Sequence, residues 1–331
     1  MSTISDVAKL SGLSKTTVSR VINNYPYVTK EKRELVKKAM EELSYTPSPT
    51  ARRMRGQLTT SIGVIVTRIV NPFFSYLVNA IEQLAYKKGY QVLIFQSNGD
   101  PEKELSYLNL LKTKQVDGII MTSVANDWET LKEYTNFGPM VFCNEYLSNS
   151  TLPIVRIDQI NGVYNGIKHL IEKGHKKIGY CTGGSLFESD GKNNDRSIGF
   201  QKALKEAKIP VNPRWIFVNQ LSINDGKNVA KEVISMADRP TAIFAGGDEV
   251  AAGILIETKD QGLRVPEDIA IIGFDDQPLA ELLEPKLTTI RQPVNEMGEK
   301  ALELIISILE GREPKEAYVE LTAPFIQRGS T

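Results

Sequence analysis

The chain has 331 residues, with 40 Lys/Arg against 40 Asp/Glu, 41% apolar residues and 24% charged residues. These are ordinary values for a folded globular protein; they exclude global disorder and leave room for two or three domains with their own cores. No apolar run approaches the ~18 residues of a membrane span, two cysteines (Cys143 and Cys181) cannot frame a disulfide scaffold, and the opening MSTISDVAKLSG lacks the basic and apolar regions of a signal peptide, so a cytoplasmic protein with no membrane partner is expected.

The balanced total conceals a division. Residues 1–60 carry 11 Lys/Arg and 5 Asp/Glu, whereas the remaining 271 carry 29 and 35, a basic head on an acidic body. A basic head suits a polyanionic partner. Thr3-Ile4-Ser5-Asp6 has the form of a capped helix start, and that helix carries Val7, Ala8 and Leu10 before stopping at Ser11-Gly12. Ser14 then caps a second helix from Lys15. A turn this short, containing glycine, predicts a helix-turn-helix. At about 100° per residue, Lys15, Ser19, Thr16 and Arg20 fall on one side of the second helix, and Val21, Val18 and Ile22 on the other. Arginine can bond N7 and O6 of guanine, and Thr or Ser can bond base edges or phosphates; an ordinary solvated helix face has the same composition. A third helix after Thr29 carries Leu35, Val36, Ala39, Met40 and Leu43 as a stripe that packs over the first two.

Residues 45–60, YTPSPTARRMRGQLTT, form a basic connector with no acidic residue. Ser48 followed by Pro49 starts a helix of about two turns and Gly56 stops it. Helices shorter than ~12 residues are marginal in water, so this segment is predicted to be unfolded alone and helical against phosphates, with a basic linker as the simpler alternative.

From Ser61 strands alternate with helices. One series has strands at Ile62–Val66, Gln91–Gln96, Gly118–Thr122 and Met140–Cys143, with helices around Phe74–Lys88, Glu102–Lys114 and Trp128–Tyr134. A second has strands at Val155–Ile157, Lys177–Cys181, Ile216–Val218, Ala242–Ala245 and Ala270–Phe274, with helices near Gly162–Glu172, Ser197–Lys208, Asp225–Ala237 and Ala251–Gln261. The pattern predicts a two-lobed α/β body with parallel sheets. The tail adds Thr288–Pro293, a helix near Val294–Glu310 and a last strand near Tyr318–Ile326.

In parallel α/β sheets ligands bind beyond the carboxyl ends of strands. Phe73 and Phe74 (after Asn71-Pro72), Asn144 with Glu145, Asp248 and Asp275 all follow strands. An aromatic pair there can stack on a sugar ring or base, or be core; an Asp after a strand can also cap the next helix. Arg196 opens a helix, where the dipole does not favour a cation, so it needs another partner. Catalytic motifs are missing: no Gly-rich nucleotide loop follows the first strand, no Gly-x-Ser-x-Gly occurs, and His169 and His175 are six apart with no metal spacing. No enzyme activity, cofactor or metal is expected.

Asp6-Val7-Ala8, Gly12-Leu13-Ser14, Thr17-Val18-Ser19-Arg20-Val21-Ile22-Asn23 and Glu42-Leu43-Ser44-Tyr45-Thr46-Pro47 resemble the head-piece of the lactose-repressor (LacI/GalR) family in order and spacing. Val116-Asp117-Gly118-Ile119-Ile120, Arg196-Ser197-Ile198-Gly199-Phe200 and Leu287-Thr288-Thr289-Ile290-Arg291-Gln292-Pro293 extend the likeness through the body. The resemblance implies a DNA-binding domain at 1–46, a hinge helix at 47–60, and an effector-binding and dimerisation body at 61–331. In that body one lobe spans about 61–160 and 292–318, the other about 161–291 and 319–331. It implies that Lys15, Thr16 and Arg20 read bases, with Thr17 and Ser19 beside them, and that Ala51, Arg52 and Met54 enter the minor groove, Met54 standing where leucine is usual. Arg196 and Asp275 match positions that face the effector. The implied protein is a homodimeric transcriptional repressor on a near-palindromic operator, controlled by a sugar-like effector or, alternatively, by a phosphorylated partner protein. A solute-binding protein is the remaining rival, disfavoured by the basic head, and no heptad-bearing helix follows Ser330 to support a four-chain assembly.

Overall fold

In a computed structural model, residues 2–23, 25–45, 59–147, 149–183 and 195–331 are described. The hinge-helix expectation, with Ala51, Arg52 and Met54, lies outside the described residues. The chain divides into two compact units, 1–59 and 60–331.

The first unit holds helices α1 (Ile4–Ser11), α2 (Lys15–Ile22) and α3 (Lys30–Glu42). Thr3 and Asp6 cap α1 reciprocally: the Thr3 hydroxyl accepts from the Asp6 amide, and an Asp6 carboxylate oxygen accepts from the Thr3 amide at 2.8 Å. Gly12 then ends α1 in the left-handed conformation (φ 68°), which glycine adopts without a Cβ penalty. Ser14 accepts from the Thr17 amide at 3.1 Å and starts α2. Val7, Ala8, Val18, Val36 and Ala39 form the small core. Leu10 and Leu35 were expected to join it but are exposed. Leu35 sits about 100° round the helix from Val36, which points it past the seam.

The second unit is built on two parallel sheets. The first contains β1 (Ser61–Val66), β2 (Gln91–Gln96), β3 (Gly118–Met121), β4 (Met140–Cys143), β5 (Ile154–Ile157) and β11 (Tyr318–Leu321), in the order β11-β5-β4-β3-β1-β2. The second contains β6 (Ile178–Cys181), β7 (Ile216–Phe217), β8 (Ala242–Ala245) and β9 (Ala270–Ile272), ordered β7-β6-β8-β9. β1, β3, β4, β6, β8 and β9 are buried along their whole length, as strands covered by helices on both faces must be. The helices start where side chains can take up the first amides: Asn71 before Pro72, Asp100 before Pro101, Asp158 before Gln159 and Ser222 before Ile223.

The strand expected at 318–326 is two strands. β11 extends the first sheet beside β5, whereas β12 (Phe325–Ile326) pairs antiparallel with β10 (Thr289–Ile290). β10 runs alongside β9 through the bridges Ile272–Thr288 and Asp275–Arg291, so β12 belongs with the second sheet. The chain therefore passes between lobes at 322–324, a few residues beyond the expected boundary; Pro324, which has no amide hydrogen to offer a ladder, stands in the break. The other two passages follow β5 and β10. Helices Ile223–Ser235 and Asp248–Asp260 touch backbone to backbone: a Cβ on Gly226 would lie 2.1 Å from the Val250 carbonyl oxygen, and one on Gly253 would lie 2.0 Å from that of Ile223. Among the described residues no helix is long and apolar enough to cross a membrane.

Candidate functional site

Two places carry groups suited to recognition, one in each unit. On α2 the burial of Val18 fixes the rotation of the helix, leaving Lys15, Thr16 and Arg20 exposed. Thr17 and Ser19 are half-buried: the Thr17 hydroxyl is 2.9 Å from that of Ser14, and Ser19 accepts from the Asn23 amide group at 3.4 Å. Three of the five predicted base-region side chains of α2 are therefore free to project, while the other two also serve the helix ends. Arg33 of α3 donates to the carbonyls of Val28 (3.3 Å) and Tyr25, holding the loop that follows α2. That loop presents Tyr27, 93% exposed.

In the second unit a cavity of about 530 Å³ opens beyond the carboxyl ends of strands of both sheets. Each wall follows from the same rule: Arg68 lies after β1, Ser123 after β3, Asn144 after β4, Gly246 after β8 and Asp275 after β9. Phe73 and Phe74, held by the Asn71 cap, pack edge to face with centroids 5.1 Å apart. Phe73 is rooted in the core and Phe74 is only partly buried, and both reach the cavity. Asn144 adopts φ 83°, a conformation asparagine tolerates; its amide nitrogen donates to the Thr122 carbonyl at 3.4 Å.

Asp275 is buried at the wall with φ 108°, and its neighbour Asp276 has φ 56°. Two successive residues in sparsely populated conformations store strain of the kind found at ligand sites. The Asp275 carboxylate accepts from the side-chain amides of Gln277 (3.1 Å) and Gln292 (2.6 Å). Burial pushes its pKa up to about 6, against the opposing pull of the Arg196 charge and those two amides. Arg196 donates to Gln159 at 2.5 Å and to the Gly246 carbonyl at 2.6 Å, and its guanidinium lies 3.8 Å from the centre of the Phe274 ring. The aromatic face and the Gln159 oxygen explain why a cation sits at this helix start.

Asp248 occupies a different position. It is wholly buried behind the wall, where it accepts from the Thr289 hydroxyl and the Gln277 backbone amide, both at 2.7 Å. Burial, then the Asp275 charge, raises its pKa well above the carboxylate range. It positions the Gln277 loop and does not line the cavity. The lobes meet across the opening: Arg68 lies 3.9 Å from Glu249 and donates to the Leu221 carbonyl at 3.2 Å. Deeper in, Arg156 on β5 bridges to Asp195 at 3.1 Å and stacks on Tyr146.

The cavity brings together Phe73, Phe74, Asn144, Arg196 and Asp275, all expected from the sequence, with Arg68, Ser123, Glu249, Gln277 and Gln292, which were not. The strand-end rule applied to every strand would have flagged Arg68, Ser123 and Gln277. Glu249 and Gln292 arrive by the folding of a helix start and an inter-lobe passage, which leave no local pattern.

Comparison with known proteins follows this division. The profile of bacterial regulatory proteins of the lacI family matches residues 3–48, and that of a periplasmic binding protein-like domain matches 167–331. The chain is 41% identical over 332 residues to the NTD biosynthesis operon regulator NtdR of Bacillus subtilis (strain 168), covering all of both chains. It is 36% identical to the HTH-type transcriptional repressor PurR of Aliivibrio salmonicida (strain LFI1238), covering 100% of this chain and 99% of that one. Among solved structures, a LacI family transcriptional regulator from Lactobacillus casei with bound sucrose superposes with a TM-score of 0.77 at 29% identity, covering 82% of this chain and 99% of the other.

Proposed function

The chain belongs to the lacI family of bacterial regulatory proteins, and from that premise we propose that it is a homodimeric repressor whose affinity for a near-palindromic operator is set by a sugar-like molecule bound between the lobes of its body. DNA-binding transcriptional regulation is the family's work; the operator symmetry, the dimer and the effector are the parts proposed. The observation that carries the reading is the cavity. Its volume of about 530 Å³ falls in the range of small-molecule sites, and it combines an aromatic pair with a guanidinium, a carboxylate and side-chain amides. Such a set grips vicinal hydroxyls: the carboxylate accepts from two, the arginine donates to their oxygens, and the rings cover an apolar sugar face. A cleft between the lobes, with convergent polar groups beside an aromatic pair, favours a small molecule over a phosphorylated partner protein as the effector. The sucrose bound to the Lactobacillus casei relative points to the same class.

A second copy has somewhere to sit. β2 is the edge strand of the first sheet and exposes Leu93 (40%) and Ile94 (49%), with Tyr76 and Tyr86 of helix Pro72–Lys87 also exposed. Apolar side chains on an open edge invite pairing unless covered, and a two-fold partner covers them. Two copies then present two α2 helices to two half-sites. A ligand preferred by one lobe arrangement shifts the lobes, and with them DNA affinity, by the difference in its affinities for the two arrangements. The residues proposed to carry the function are Lys15, Thr16, Thr17, Ser19 and Arg20 on α2 and Ala51, Arg52 and Met54 in the connector for DNA. For the effector they are Phe73, Phe74, Asn144, Arg196 and Asp275. Asp248 supports them from behind. The test is Asp275→Ala in an operator-binding titration with and without effector selected by thermal-shift screening of sugars. Operator affinity should hold while the effector response disappears; a normal response overturns the cleft assignment.

A further inference from the structure

Two of the ion pairs between the lobes differ in kind. At the mouth, Arg68 and Glu249 stand 3.9 Å apart and both are partly exposed. Beside the inter-lobe passages, Arg156 and Asp195 are 3.1 Å apart, with only 15% and 7% of their side chains exposed. An ion pair held out of water is worth its desolvation only when its geometry is well supported. This one is.

Four of the five side chains at the inner pair belong to the first lobe. Arg156 on β5 lies directly opposite Glu320 on β11 in the parallel register, and the two are paired. Tyr146, just past β4, and Tyr318 on β11 flank the guanidinium, their ring centres 4.6 and 5.3 Å from it. The Tyr146 hydroxyl accepts from Arg156 and donates to the Asp195 carboxylate at 3.4 Å. A planar guanidinium stacked on rings and paired on its own sheet is already oriented, so it loses little freedom in gripping one more carboxylate. The first lobe thus offers a prepared socket.

Asp195 is the one member from the second lobe, in the first turn of helix Asp195–Glu206. The helix dipole favours an acid there, but a side chain turned to water would serve the dipole as well. Facing the socket serves something else. Arg196, whose guanidinium lines the cavity, is the next residue, so the contact that fixes Asp195 fixes where Arg196 starts. The socket also stands at the hinge, because β5 and β11 lead into the passages that follow Ile157 and Leu321. Freedom at a hinge is magnified with distance from it, so a small slackening at Asp195 becomes a large one at the mouth.

We infer that Arg156 is a positioning residue: through Asp195 it holds the start of helix Asp195–Glu206, and Arg196 with it, against the first sheet, and so sets the angle between the lobes. The arrangement it favours is populated before any molecule enters, and binding has that much less rearrangement to drive. The consequence for operator control rests on the cleft being the effector site; the placement of the lobes does not.

The experiment needs no ligand. Lys103→Cys and Asn224→Cys, both exposed and a few residues past the cavity-lining Gly99 and Leu221, carry one spin label on each lobe. Cys143 and Cys181 are fully buried and stay unlabelled. Labelled full chain is diluted into unlabelled chain, so that pulsed dipolar spectroscopy reads distances within one chain. Arg156→Gln should broaden the distance distribution and move it to longer values. Asp195→Asn removes a charge with almost no change of volume; it should do the same, and it decides the matter if Arg156→Gln fails to fold. The double variant should go no further than the larger single change, because both break one contact. Distributions of the single variants that overlay the parent overturn the inference, as do shifts that add in the double variant. The effector reading stands or falls separately, on the response of Asp275→Ala to sugars.

Discussion

Asp275→Asn should stabilise the body at neutral pH and destabilise it in mild acid, and the crossover is the informative part. In the native chain burial moves ionisation of this carboxyl from 3.8 to about 6. The folded state thus holds its proton more tightly than the unfolded state does, so stability is fully present below about pH 4 and is lost as pH rises through 6. At about 1.4 kcal/mol per pH unit, the loss amounts to roughly 3 kcal/mol. Asparagine carries no charge and removes this dependence. It also sets an amide nitrogen against one of the two glutamine amides that now donate to Asp275, costing about 1 kcal/mol. The variant should therefore gain roughly 2 kcal/mol at pH 7.5 and lose about 1 kcal/mol at pH 4. Asp248 reinforces the trend, since the Asp275 charge is one of the two main causes of its own raised pKa. Thermal melts of both proteins across pH 4–8 measure the difference, which should reach several degrees at pH 7.5. A variant less stable by the same margin at both ends refutes the reasoning and makes Asp275 a purely structural acceptor.

Arg20→Ala should cost about 1–3 kcal/mol at one operator base pair and relax discrimination there, and Lys15→Ala should do the same at a different base pair; binding-site selection with each variant locates the two positions, and a uniform loss across sequences contradicts base reading. Gly253→Ala should unfold or severely weaken the second lobe, because its Cβ would lie 2.0 Å from the Ile223 carbonyl oxygen with no flexible side chain to yield; a melting point within a degree of the parent contradicts this. Met54→Gly should weaken specific operator binding far more than binding to random DNA, read by anisotropy titration at fixed salt; equal losses would make the connector a linker and nothing more.

The head-piece was largely legible, because its first two helices are announced locally. Thr3 with Asp6, Ser14 with Thr17 and the left-handed Gly12 are near-neighbour interactions, and they fix the boundaries of α1 and α2 within a few residues. The strands of the body were legible for a related reason: a strand buried on both faces must be a continuous apolar run, as β1, β4 and β8 are. The edge strand β2 was found by its pattern too, although half of it faces solvent.

What the sequence determined by itself was the kind of element at each position, and the strand ends beyond which a ligand would sit. Tertiary structure alone decided which of those ends converge. It split the 318–326 segment between two sheets and brought Gln292 from an inter-lobe passage onto Asp275. It also placed Asp248 behind the wall that Asp275 forms, although both are aspartates that follow a strand. The two are alike in local sequence because local propensity depends on neighbours a few residues away. Burial, charge pairing and hydrogen-bond commitment depend on groups 15 to 50 residues away, such as Gln159 and Gly246 for Arg196 and Gln292 for Asp275, and only the packed lobes bring those together.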